Sequence, residues 1–203
     1  TTWHQLPTTP FDTTGAHVFL NWVRERGAMF GGIARGIMVR DDGWEFMSMG
    51  RSLEQVDMTS RLVASASLTH GSRQWPAVLR GCGGHDAFLR TYRGLYTERE
   101  AAEFLIVDAR FPRSIMHGLI AANDSLEKVA QNNMLTARHA QTAIRSLGQL
   151  RARLEYADLD DLLGNLNREM SAVQDVMAQA AITVATSYFA AADPTAWITE
   201  GTR

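Results

Sequence analysis

The sequence predicts an all-α protein, an antiparallel helical bundle of about six to eight helices. Three observations carry that prediction. Every long segment repeats its apolar residues at three- and four-residue spacing, the period of one helix face. No segment alternates apolar and polar residues with the β-branched enrichment of a strand. Helix-start signals also stand ahead of the periodic runs, the clearest being Thr97 with Glu100 three positions on, the pattern of a capping box.

Residues 1–14 read as an extended lead-in, rich in Thr and holding Pro7 and Pro10, in which Trp3, Leu6 and Phe11 look like packing residues. The helical domain is expected over 15–191. Its first helix spans about 15–39, capped by Thr13 or Thr14, with Phe19, Trp22, Arg26, Phe30, Ile33 and Ile37 at helical spacing. Gly31, Gly32 and Gly36 lower its propensity, which suits close approach of another helix better than phosphate binding. Asp41 or Asp42 caps a second helix over about 43–67. One or two short helices follow, around 75–79 and 86–92. Thr97 starts a helix over 98–108, and Pro112 suits the first position of the next one. There Ile115, Leu119, Ala122, Leu126 and Val129 form the apolar stripe. Ala140, Ile144, Leu147 and Leu154 mark a helix over 136–156. An Asp at 158, 160 or 161 then opens a long helix carrying Met170, Val173, Met177, Ala180, Val184 and Tyr188. Residues 192–203 read as a frayed tail.

Composition excludes several classes of function. The chain has 203 residues, enough to bury a substantial core. A net charge of −2, with Lys128 the only lysine among 20 basic residues, leaves no electrostatic footprint for nucleic acid. The other basic residues are arginines interspersed with acids, which suits forked, fixed ion pairs. Cys82 is the single cysteine, so no internal disulfide forms, as expected of a reducing compartment. No apolar run approaches the length of a membrane span, and no charged and apolar leader is visible. The expected location is cytoplasmic, away from membranes.

The second helix holds the most informative pattern. At about 100° per residue, Trp44, Met47, Arg51, Glu54, Met58, Arg61 and Leu62 share one face, with Asp57 at its edge. Charges on an apolar face are expected to be buried and paired, Arg51 with Glu54 and Asp57 with Arg61. Glu54 then accepts a hydrogen bond from at least one arginine. Asp108 and Arg113, at neighbouring helix ends, are the expected companions. The plain reading is a polar network that fixes how helices dock; the alternative is a ligand or catalytic site.

Other candidates carry less. Cys82 and His85 stand three apart in a Gly-rich stretch, but a local pair supplies neither a fixed base nor an orienting third group. The six histidines show no spacing for a metal on a helix, so no metal and no cofactor is expected. Nucleotide-binding and serine-hydrolase signatures are missing. Met29, Met47, Met49, Met58, Met170 and Met177 read as core filler.

Three stretches stand in order: Gly50-Arg51-Ser52-Leu53-Glu54-Gln55-Val56-Asp57-Met58-Thr59 with Arg61-Leu62, then Phe104-Leu105-Ile106-Val107-Asp108 with Phe111-Pro112-Arg113-Ser114, and Leu147-Gly148 with Arg151-Ala152-Arg153-Leu154-Glu155-Tyr156. Together they resemble the bacterial alpha-E domain family over about residues 18–189. Met38-Val39-Arg40-Asp41-Asp42-Gly43-Trp44 is similar to the family's lead into the first. The resemblance implies an all-helical protein found beside, or fused to, circularly permuted ATP-grasp proteins and transglutaminase-like proteins. It implies a non-catalytic accessory role in a peptide-ligating or peptide-modifying system. Family members are usually longer, with an earlier copy of the Gly-Arg-x-Leu-Glu-Arg helix not found here. The chain therefore reads as the C-terminal part of such a domain. Its expected partner is an ATP-grasp or transglutaminase-like protein, or the missing N-terminal part. Gln55-Val56 stands where the family commonly has Arg-Ala. The competing expectation is a small-ligand enzyme using Arg51, Glu54, Asp57 and Arg61, with arginines holding a carboxylate or phosphate while an acid moves a proton.

Overall fold

The computed structural model describes residues 13–67, 74–93, 97–132 and 137–189. Trp3, Leu6 and Phe11, and the tail from 192, lie outside the described residues. The chain divides into two compact units, Thr1–Arg40 and Asp41–Arg203.

The first unit contains helix α1 (Thr13–Ile37). Phe19 and Trp22 stack with centroids 6.2 Å apart, and the Arg26 guanidinium lies 5.5 Å over the Trp22 ring, a cation–π contact one turn on. Arg40 folds back to donate to the Arg35 carbonyl at 2.6 Å, satisfying one of the carbonyls that a helix end leaves open. Within this unit a Cβ on Gly32 or Gly36 would meet nothing within 4 Å, so the close approach expected at these glycines is not found there.

The second unit contains α2 (Asp42–Ser67), α3 (Trp75–Gly81), α4 (His85–Tyr92), α5 (Glu98–Ile106), α6 (Ile115–Asn132), α7 (Ala137–Glu155), α8 (Leu159–Gly164) and α9 (Leu166–Tyr188). No strand occurs among the described residues. Four long helices close a ring in which α2 packs on α6 and α9, and α7 packs on the same two. Side-chain contacts fix their directions. Asp42 meets Asn132 and Glu45 meets Lys128 at one end, whereas Thr59 meets Arg113 towards the other, so α2 and α6 are antiparallel. Phe46 near the start of α2 packs edge-on against Tyr188 and Phe189 at the end of α9. Arg153 late in α7 pairs with Glu169 early in α9 at 3.0 Å. The result is an antiparallel helical bundle, as the sequence predicts, with its four long helices in up-down-up-down order. The short helices α3, α4, α5 and α8 gather where α2 ends and α6 begins, with α5 tied to α8 by the Arg99–Asp160 ion pair.

Local chemistry explains the boundaries. Asp41 Oδ1 accepts from the Trp44 N–H at 3.2 Å and caps α2. Thr97 and Glu100 form the expected capping box of α5. Asp158 caps α8 by accepting from the N–H groups of Asp160 and Asp161. The expected single helix from this point breaks at Asn165, whose side-chain amide takes the Asp161 carbonyl and offers the backbone an alternative to helix. Pro112 does not open α6. It lies in the preceding turn, and Ser114 caps the helix by accepting from the His117 N–H at 3.0 Å. Asp108 falls in the same turn, because α5 ends at Ile106.

The apolar stripes of α6 and α9 are buried as their spacing predicts, apart from Tyr188, which is half-buried. The buried face of α2 is not the predicted one. Glu45, Met49, Leu53, Val56, Ser60 and Val63 face inward in three- and four-residue steps, with Thr59 beside them. The cause is a close approach to α6: a Cβ on Gly118 would come within 2.4 Å of Val56 Cγ2. The same Cβ would lie 3.4 Å from the Ser52 carbonyl oxygen, so the glycine brings α6 against the side of α2 that carries Ser52 and Val56.

Candidate functional site

Rotating α2 into this register turns the strip from Gly50 to Leu62 outward, a run of about 18 Å at 1.5 Å per residue. An open cleft of about 510 Å³ lies along that strip. Arg51, Glu54, Gln55, Met58, Thr59 and Leu62 contribute from α2. Gly81 and Cys82 contribute from the end of α3, and Arg113 from the turn before α6.

Two side chains of α2 hold that turn in place. The Gln55 amide donates to the Pro112 carbonyl, and the buried Thr59 hydroxyl donates to the Arg113 carbonyl at 3.1 Å. The Arg113 guanidinium reaches Gly83, where a Cβ would lie 3.7 Å from Nη1. Gly83 has φ +65°, a conformation open to glycine at little cost. The glycine link is no anion cradle, because its N–H groups are spent. Cys82 N–H donates to the Val78 carbonyl, Gly83 N–H to Arg80 and Gly84 N–H to Leu79, all within 2.9 Å.

The predicted polar cluster divides in two. Arg51, Glu54 and Arg113 come together on the cleft, as lining residues. Asp57 and Arg61 form the expected pair, a two-pronged contact at 2.7 and 3.1 Å, which holds the Arg61 guanidinium above its usual range. They do not line the cleft. Asp108 binds Arg110 instead, through Nε at 2.9 Å and Nη2 at 2.8 Å, and this contact holds its carboxyl below the usual range. The burial expected for Arg51, Glu54 and Arg61 is overturned, since all three are exposed. Glu54 accepts no arginine hydrogen bond either. Among the described residues, Arg51, Glu54 and Arg113 have no ion-pair partner.

The cleft also contains residues that the sequence reading passed over or placed in the core. Met58 is 55% exposed and, with Leu62, gives the cleft an apolar patch. Burial pushes the Cys82 thiol up to about 11, against smaller opposing effects of Arg113 and a hydrogen bond with Thr59, so it stays protonated near neutral pH. His85 meets Asp86 at 3.2 Å. One signal for Thr59 was present: a hydroxyl inside an otherwise small and apolar stripe needs a specific acceptor.

Among the described residues no three His, Cys, Asp or Glu side chains gather as a metal site, and no helix is long and apolar enough to cross a membrane. A family model called Alpha-E, described as a predicted alpha-helical domain with a conserved ER motif, matches residues 1–189. No curated protein and no solved structure matches the chain.

Proposed function

The chain belongs to the alpha-E family, and on that premise we propose that it is a non-catalytic binding component of a peptide-ligating or peptide-modifying system of the ATP-grasp type. The observation that carries this reading is the cleft itself. Two arginines without ion-pair partners among the described residues stand on a helix and on a turn that Gln55 and Thr59 tie to it, beside an apolar patch. Unpaired guanidinium groups around a concave surface suit a carboxylate-bearing partner or substrate, because the planar fork of Arg matches the two carboxylate oxygens. A protonated thiol supports binding over nucleophilic chemistry at this place.

A second reading, a small-ligand enzyme, draws on Arg51 and Glu54, which share the cleft. Asp57 and Arg61, its other proposed members, are engaged with each other, which weighs against it. Affinity purification of the chain from its native cells tests the first reading. Recovery of an ATP-grasp or transglutaminase-like protein, lost on Arg51→Glu with Arg113→Glu, is the expected result. Recovery of neither class sinks the proposal, and turnover of a small carboxylate by the purified chain favours the second reading.

A further inference from the structure

We infer that the cleft along α2 accepts a short acidic peptide in extended form, with one carboxylate at Arg51, another at Arg113, and apolar side chains between them on Met58 and Leu62. This deepens the reading of the cleft as a binding surface and rests on it.

Arg51 stands near one end of the outward strip. Arg113 enters at the other, since its carbonyl is held by Thr59 and its guanidinium lies against Gly83, beside the Gly81 that faces Leu62. Positions 51 and 59 are about 12 Å apart along the helix axis. Extended chain covers that distance in about four residues at roughly 3.3 Å each. On this backbone spacing a lone phosphate or acetate is expected to meet one of these arginines, whereas a peptide with acids four positions apart is expected to meet both. Glu54 lies one turn inside Arg51 and is exposed, so it repels an acid in the middle and accepts peptide N–H groups there. Met58 offers more than half its surface to the same space. The charges therefore select a pattern, acids at the ends and apolar residues between, and not acidity in general.

Fluorescence anisotropy with defined peptides tests this. The probe is a five-residue peptide, blocked at both ends, with Glu first and last and Leu at the three middle positions. Saturable binding is expected, weakened about fivefold when both Glu are replaced by Gln, the middle of the range for losing two exposed charge pairs. An all-Glu peptide is expected to bind more weakly than the probe despite its greater charge. Arg51→Gln and Arg113→Gln should each weaken the probe and leave its Gln version unchanged. Equal binding of the Glu and Gln peptides, or none by either, overturns the inference. So does inorganic phosphate or glutarate binding as tightly as the probe, which marks a small-anion site. Should the probe fail while a native partner is still held through Arg51 and Arg113, the peptide is wrong and the accessory role stands.

Discussion

The Thr59 hydroxyl donates to the backbone carbonyl of Arg113 across 3.1 Å, joining α2 to a turn 54 residues further on. Thr59 is only 4% exposed, so its hydroxyl has little access to water as a substitute partner. Thr59→Val keeps the shape and removes the donor, and is expected to cost about 1–3 kcal/mol, the range for orphaning a buried polar group. Thr59→Ser should recover most of that loss. Urea unfolding of the three proteins checks it, and equal stability of the Val and Ser variants would show that the contact contributes nothing.

Gly118 allows α6 to approach α2. A methyl group there would lie 2.4 Å from Val56 Cγ2, well inside contact distance, and the β-branched valine has little freedom to turn away. Gly118→Ala should destabilise the unit by about 1–3 kcal/mol through overpacking. Combined with Val56→Ala, the loss should be smaller than the sum of the two single losses, because the second change opens the space that the first one needs. Strict additivity in a thermal or urea double-mutant cycle would contradict the close approach.

How much of this was readable in advance depends on how each helix packs. The stripes of α6 and α9 are made of large apolar residues, so spacing alone placed them. The capping box at Thr97 is a local hydrogen-bond pattern and was legible as such, whereas spacing alone narrowed the other caps only to Asp41 or Asp42 and to one of Asp158, Asp160 and Asp161. The α2 register was not. Its close approach to α6 is made at Ser52, Val56 and Gly118, and small residues give a weak hydrophobic signal. The larger Trp44, Met47, Met58 and Leu62 outweighed them and carried Arg51 and Glu54 inward with them. The cleft itself brings together residues from α2, from the end of α3 and from the turn before α6, which no single window of sequence contains. Three of its polar members, Arg51, Glu54 and Arg113, were nevertheless among the candidates.

Glu54 now has a different expected energetic role. A buried carboxylate losing its partner would cost about 3–5 kcal/mol on removal. An exposed one with no ion-pair partner should cost less than about 1 kcal/mol. Glu54→Ala is therefore expected to leave the urea midpoint nearly unchanged. A loss of several kcal/mol would restore the buried network and remove the open cleft from the account.

Asp108 gives the fold a dependence on acid. Arg110 holds its folded pKa below the ordinary carboxylate value, so the unfolded chain binds the proton more readily. The stabilisation is present in full above about pH 4 and is lost as pH falls through the lower folded value. Asp108→Asn keeps an acceptor for the Arg110 N–H and removes the charge. The stability gap between the two proteins should be steady from neutral pH down to about pH 5, then close towards pH 2. A gap independent of pH across that range would mean that the contact acts without its charge.

The central claim is that the outward strip of α2, with the end of α3 and Arg113, is the surface through which the chain binds. Hydrogen–deuterium exchange on the chain, alone and in complex with its co-purified partner, tests this most directly. Binding is expected to slow exchange in peptides covering 50–62, 81–83 and 112–114, with little change along the outer faces of α7 and α9. Protection confined to α7 and α9, with the α2 strip exchanging as in the free chain, would contradict it.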